Sequence, residues 1–151
     1  MNLNELLTKQ NVLTKILLVS DDKELNKELK VKIMRIRMAY TKIKKAFDAE
    51  VQEFSEELIT DEFKELHSKT ERTSEEEIRY TELSNKINSE YQEFLIQKGQ
   101  EEVKEIEDTF TMDEYADILE VNASNDVKIN ENTITAADFM EIVCDLFVKE
   151  D

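Results

Sequence analysis

The hydrophobic positions along the chain predict a helical protein. Between residues 3 and 19, leucine and isoleucine recur mostly three or four positions apart, which predicts a first helix. The most regular pattern lies in residues 21–66, where Ser20, Asp21 and Asp22 offer caps for a new helix. Its apolar residues follow one another at intervals of three or four: Ile33, Ile36, Tyr40, Ile43, Phe47, Val51, Phe54 and Leu58.

This spacing places one apolar stripe along a long helix, at a period close to that of a coiled coil. Unbroken, a helix of about 45 residues would extend roughly 68 Å. Because that exceeds the width of a compact domain of this size, the helix is expected to bend, break or protrude. Residues 59–61 are the expected break.

A second helix is predicted to fold back on the first. Residues 67–74 contain no apolar side chain and are expected to form a loop. Thr73 or Ser74 then caps the next helix, because a glutamate follows each of them three positions later, as in a capping box. That helix is expected to end at Lys98, with Gly99 as a left-handed C-cap. Two striped helices joined by a short polar loop predict an antiparallel hairpin over residues 21–98.

After Gly99 the pattern changes to short elements. Residues 103–106 form a candidate strand, Thr111 caps a helix over residues 112–121, Val127–Ile129 alternates as a strand, and Thr135 caps a closing helix. The predicted fold is mainly α. An N-terminal helix and a long antiparallel helical hairpin occupy residues 1–99. A small acidic α+β tail over residues 100–151, with one or two short strands and two short helices, packs on the hairpin base.

Composition excludes several classes of fold and site. The 151 residues include one Gly, no Pro and no Trp, which argues against turn-rich β-sandwiches and barrels and against glycine-rich phosphate loops. Cys144 is the single cysteine and His67 the single histidine, so an intramolecular disulfide and zinc or paired-histidine metal sites are excluded. We therefore expect no enzymatic activity, no catalytic or metal-binding residues and no cofactor.

The charge is unevenly distributed. The net charge is −16; residues 1–50 hold 11 Lys/Arg against 7 Asp/Glu, whereas residues 51–151 hold 9 against 29. An acidic chain lacks the basic face that nucleic acid requires, and it is repelled by anionic lipid. No apolar run approaches the roughly 20 residues of a membrane-spanning helix. We expect a cytoplasmic protein that binds another protein, with no direct nucleic-acid or membrane binding.

Three groups of residues are candidate partner-binding groups. Lys30, Arg37 and Lys44 recur every seven residues and form a basic stripe. The densest acidic run contains Glu101, Glu102 and Glu105. The basic stripe meets either this acidic run within the chain or an acidic face of a second copy or another protein. The third group is an apolar seam, which is either core or an interface between subunits: Tyr40, Ile43, Phe47, Val51 and Phe54.

The layout of the chain is similar to a family of small, functionally uncharacterised bacteriophage and prophage proteins. The matching stretches are residues 114–120 in a short helix, Val127–Ile129 in a strand, and residues 135–139 at the start of the closing helix. The chain departs from the family by an Asn-rich turn over residues 122–126. The resemblance implies a phage origin and no assigned activity. It places the protein in the host-cell cytoplasm, with association with the virion as a further option.

Two functions follow from these patterns. The first is a non-catalytic interaction or assembly protein that acts through the apolar seam and complementary charged faces, as a homo-oligomer or with a host or phage protein. The alternative is an acidic inhibitor of a host defence or DNA-processing protein, whose carboxylates imitate the phosphates of DNA.

Overall fold

Helices dominate the structure, a computed structural model that describes residues 1–19, 25–122, 126–129 and 132–149. In chain order its elements are α1 (Leu3–Val19), α2 (Lys27–Leu58), α3 (Asp61–Ser68), α4 (Ser74–Gln100), α5 (Met112–Asn122), β1 (Val127–Ile129), β2 (Asn132–Ile134) and α6 (Ala136–Phe147). The two strands pair antiparallel, with Lys128 opposite Thr133. The predicted fold class is therefore confirmed.

Two regions differ in how deeply they bury their side chains. The head comprises α1, the first half of α2, and the described residues from 101 to 149, and these share a hydrophobic core. The arm comprises the rest of α2 together with α3 and α4. Leu66, Leu83 and Gly99 are the buried residues of α3 and α4. The head core takes side chains from both sides of residue 99, and the boundary between residues 99 and 100 stays a prediction.

The caps of the helices follow from short polar side chains at their starts. Thr73 forms a complete capping box with Glu76, as predicted. Thr111 and Glu114 form a second one, with reciprocal hydrogen bonds of 2.9 and 3.2 Å. Thr135 accepts from the N–H of Asp138. The predicted caps Ser20, Asp21 and Asp22 lie outside the described residues, and α2 begins at Lys27 with Asn26 as its cap.

Three sequence-based expectations are wrong in detail. Residues 103–106 form no strand, because no neighbouring strand pairs with them. The loop between α3 and α4 is shorter than predicted, since α3 continues through Ser68. Gly99 is not a left-handed cap: α4 continues to Gln100 and the cap is the extended residue Glu101. Helix α1 approaches closely at this point, since a Cβ at position 99 would lie 2.5 Å from Oδ1 of Asn4, an exposed side chain that would have to move aside.

The break in the long helix lies where it was predicted, and it turns the chain back onto α4. Ile59 and Thr60 separate α2 from α3, and Thr60 caps α3 by accepting from the N–H of Phe63 at 3.2 Å. Phe63 stacks on Tyr80 of α4, with ring centroids 5.4 Å apart. The end of the arm is thus a small aromatic cluster rather than an extension of the deep core.

An ion pair closes the turn between α3 and α4 and yields a testable pKa. Lys69 contacts Glu76, and this contact, with the N–H of Thr73, lowers the pKa of Glu76 from 4.5 to about 2. Because the folded-state pKa is lowered, the resulting stabilisation is present above about pH 4.5 and is lost as the pH falls towards 2. We expect the substitution Lys69→Met to raise the pKa of Glu76, measured by NMR titration of its carboxyl group. Lys64→Met is the control, and an unchanged pKa in Lys69→Met would contradict the assignment.

Candidate protein-interaction surface

The predicted apolar seam is covered within the chain. Tyr40 is fully buried in the head core, and Ile43 and Phe47 are half-buried against that core. Farther along α2, Val51 and Phe54 are also half-buried, and Phe54 stacks on Phe94 of α4 with ring centroids 4.1 Å apart. The seam therefore holds α2 against its own neighbours, and a partner has to approach a different face of α2.

A buried polar cluster fastens the acidic segment to the helices of the head. Asp108 is 7% exposed; it accepts a hydrogen bond from the hydroxyl of Tyr40 and lies 2.9 Å from Nζ of Lys9. Burial, together with the hydrogen bond to Asp108, raises the pKa of the Tyr40 hydroxyl well above its usual range. Nζ of Lys9 also lies 5.5 Å from the ring centroid of Phe147. This cluster holds the extended residues 103–109 in place without a strand ladder.

A second contact joins the basic helix to α5. Nζ of Lys32 donates to the carbonyl of Thr109 and to Glu114, both at 2.8 Å. Burial alone would raise the pKa of Glu114, but the hydrogen bonds from Lys32 and from the N–H of Thr111 lower it below its usual value. The basic helix thus does meet acidic residues of its own chain. It does so through Lys32, which lies off the predicted stripe.

The predicted basic stripe makes only local contacts. Lys44 lies 3.6 Å from Asp48 on the same helix, and Nη1 of Arg37 lies 3.9 Å from the sulfur of Met34. Nε of Arg37 is buried and has no hydrogen-bond partner in the part of the chain that the structure describes. Lys30 is exposed and makes no ion pair with any described residue. None of the three reaches the acidic run that was one of its two predicted partners.

The predicted acidic run is partly neutralised by nearby cations. Glu101 pairs with Lys98 at 3.2 Å, and Glu102 pairs with the N-terminal amine of Met1 at 3.0 Å. Glu105 is exposed and forms no ion pair with a described residue. The three carboxylates therefore do not present a uniform row of free negative charge.

The largest apolar surface on α2 was missed by the sequence analysis. Val31, Met34 and Met38 are 49%, 42% and 62% exposed. They lie opposite the buried residues of the same helix and line a shallow groove with Lys27, Lys30 and Arg35. We call these six residues the outer face of α2. Their spacing of three and four residues is visible in the sequence. The sequence analysis selected the longer and more regular apolar stripe on the opposite side of the helix instead.

Charge along α2 is divided between its two halves. Residues 29–45 hold seven Lys/Arg and no Asp/Glu, whereas residues 46–58 hold five Asp/Glu and no Lys/Arg. In the acidic half, Glu53, Glu56 and Glu57 are exposed and make no ion pair with any described residue. In the basic half the same holds for Lys30 and Arg35. One helix therefore presents an apolar basic surface at the head and an acidic surface along the arm.

The described residues contain no recognisable catalytic or metal-binding arrangement. No three His, Cys, Asp or Glu side chains among them are grouped as a metal ion would require. Cys144 is a half-buried free thiol in α6. His67 lies at the end of the arm, where its Nδ1 is 2.9 Å from the hydroxyl of Tyr80. None of the described helices is both long enough and apolar enough to cross a membrane.

Known proteins provide no guide to the function of this chain, so its function has to be inferred from its own residues. The resemblance to phage proteins stays a prediction, and so does the origin that it implies. No protein-family model, curated protein or solved structure matches the chain.

Proposed function

We propose that this chain is a non-catalytic protein-interaction protein that binds an acidic, amphipathic partner through the outer face of α2. The observation that carries this proposal is the row formed by Val31, Met34 and Met38, which stays exposed between cations that pair with no described carboxylate, in a chain of net charge −16. An exposed apolar surface with a polar rim is typical of a protein-binding site.

The arrangement favours a helical partner. The three apolar side chains are spaced as one ridge of a helix, so a second helix can lay its own apolar residues against them. Methionine suits such a surface, because its flexible side chain adapts to the shape of the partner. Lys30 and Arg35 border the row and would face carboxylates of the bound helix, which steers association and sets its orientation.

Nucleic acid and membrane are less suited to this surface. Stacking of bases requires aromatic side chains among the cations, whereas the outer face contains none. An anionic membrane would meet the basic groove, but the rest of the chain is strongly acidic and would be repelled.

A binding experiment with a defined probe tests the proposal. The probe is a labelled synthetic peptide of about 20 residues that forms an acidic helix with leucine at every third or fourth position, and fluorescence anisotropy reports binding. We expect Met38→Glu to weaken binding by about 10- to 100-fold, because a buried Met side chain contributes about 1.5–3 kcal/mol. Ile78→Glu at the end of the arm is a matched control, since Ile78 is 61% exposed and Met38 62%.

Other outcomes would overturn the proposal. Equal weakening by Ile78→Glu would show that binding does not depend on the outer face. A duplex DNA of random sequence, or vesicles containing phosphatidylglycerol, serve as competing probes. Tighter binding of either one than of the acidic peptide would reassign the outer face to that class of partner.

The broader functions inferred from the sequence are proposals of the same kind. An assembly role in a phage-infected cell agrees with the exposed outer face of α2. The alternative, an acidic inhibitor that imitates DNA, has less support, because Glu101 and Glu102 are paired with cations.

A further inference from the structure

The two halves of α2 are complementary to each other when the helix is reversed. The exposed basic half contains Lys30, Arg35 and the apolar row, and the exposed acidic half contains Glu53, Glu56 and Glu57. A two-fold axis across the middle of α2 would bring the basic half of one copy onto the acidic half of the other. We propose that two copies of this chain associate antiparallel along α2; this inference rests on the proposed function of the outer face.

The geometry of a regular helix specifies the register. At 100° per residue, Met38 and Ala49 lie on the side of α2 opposite its buried residues, and Arg35 and Glu53 lie together on one flank of that side. A two-fold axis between residues 43 and 44 places Met38 against Ala49 of the second copy, and it brings Arg35 within one residue of Glu53, since Gln52 is the residue directly opposite. Because the interface is isologous, each of these contacts occurs twice. Ala49 is small and exposed, so it offers the space that the longer Met38 side chain would fill.

The acidic half of α2 is unfavourable in a single copy. Its last turn contains Glu56 and Glu57 and no basic residue, although the C-terminal end of a helix carries partial negative charge. Glu53 and Glu57 are also four residues apart, where like charges repel. Cations from a second copy would relieve both effects.

The unfavourable charge of the acidic half favours a second copy of this chain, rather than a foreign protein, as the partner bound along α2. A foreign acidic helix would require the basic half of α2 alone, and the unpaired glutamates on the same side of the helix would stay unexplained. Parallel pairing would place like charges together along the whole helix, whereas the antiparallel arrangement does so only beside the axis, where Lys42 lies opposite Lys45.

The mass of the purified chain in solution tests the association. Light scattering after gel filtration at about 50 mM and about 500 mM NaCl separates charge pairing from purely apolar association. We expect a dimer at low salt and a dissociation constant at least about tenfold weaker at high salt. A monomer at both salt concentrations, up to the highest soluble protein concentration, would overturn the inference.

A charge exchange tests the orientation. Lys30→Glu/Arg35→Glu places carboxylates at the exposed positions of the basic half that would face the acidic half, and Glu53→Lys/Glu56→Lys places cations at the corresponding exposed positions of the acidic half. Each variant alone is expected to be monomeric, while a mixture of the two is expected to form a one-to-one heterodimer. Circular dichroism checks that both variants remain folded. Folded variants that do not associate on mixing would overturn the antiparallel arrangement.

Crosslinking tests the register independently of charge. In a Cys144→Ser background, a Met38→Cys chain mixed with an Ala49→Cys chain should form a disulfide-linked heterodimer under mild oxidation. Either chain alone should form few homodimers, because positions 38 and 38, or 49 and 49, would be about 16 Å apart along the paired helices. Equal amounts of homodimer and heterodimer would contradict this register.

The same variants distinguish a failure of the proposed self-association from a failure of the proposed function. Glu53→Lys/Glu56→Lys retains the outer face and should still bind the acidic peptide, although it no longer self-associates. If this variant binds the peptide while the unmodified chain is monomeric, the proposed function holds and the inference fails. If neither chain binds the peptide, the proposed function itself is wrong.

Discussion

Replacing Asp108 by alanine is expected to lower the free energy of unfolding by about 3–5 kcal/mol, the usual result of removing one member of a buried ion pair. Asp108 is nearly buried and accepts from both Tyr40 and Lys9. The substitution leaves a partly buried ammonium without its counter-ion and a buried hydroxyl without its acceptor. It also removes one of the contacts of residues 103–109, which keep the hydrogen bonds from the N–H of Val103 to Met1 and from Lys32 to the carbonyl of Thr109. Urea denaturation followed by circular dichroism measures the loss.

Control substitutions distinguish the effect of losing this buried cluster from the general effect of removing a negative charge. Glu105→Ala removes an exposed carboxylate from the same segment and should change stability by no more than about 0.5 kcal/mol. Adding Lys9→Met to Asp108→Ala should lower the free energy of unfolding only slightly further, because the two side chains act as one unit and their effects are not additive. A loss for Asp108→Ala as small as that for Glu105→Ala would show that the cluster does not hold the segment.

The substitution Phe139→Ala is expected to lower the free energy of unfolding by about 3–5 kcal/mol as well, because it opens a cavity in the core. Phe139 is completely buried on α6. The sequence analysis placed Phe47 in a seam that is either core or an interface between subunits, and in the structure that ring is only half-buried where α2 leaves the head. Phe47→Ala should therefore lower the free energy of unfolding clearly less than Phe139→Ala does under the same denaturation conditions.

The comparison of the two phenylalanines tests how the core is distributed. Both substitutions remove the same atoms from a helix, so the difference between them reports the difference in burial. Similar losses would mean that the arm is packed as tightly as the head. A loss for Phe47→Ala larger than that for Phe139→Ala would place the main core in the hairpin, contrary to the structure.

Local signals were sufficient for most of the helices and for their caps. The first helix, the break near Ile59, the capping box at Thr73 and the strand Val127–Ile129 all depend on neighbouring residues in the chain. Hydrophobic spacing and short polar caps act over a few residues, so they can be recognised in the sequence alone. The wrong assignment of Gly99 shows the limit, because the residue that lies closest to Gly99 is Asn4 in another helix.

The candidate interaction surface could be identified only from contacts between distant parts of the chain. The amino-acid sequence by itself determined a mainly helical protein with a hairpin and a divided charge. Only the tertiary structure decided which of the two apolar rows on α2 is buried and which cations are neutralised. Lys32 meets Glu114, whereas Lys30 and Arg35 pair with no carboxylate of the described residues, although all of them belong to one basic run. The physical reason is that burial and ion pairing depend on which elements pack together, and periodicity within one helix does not encode this.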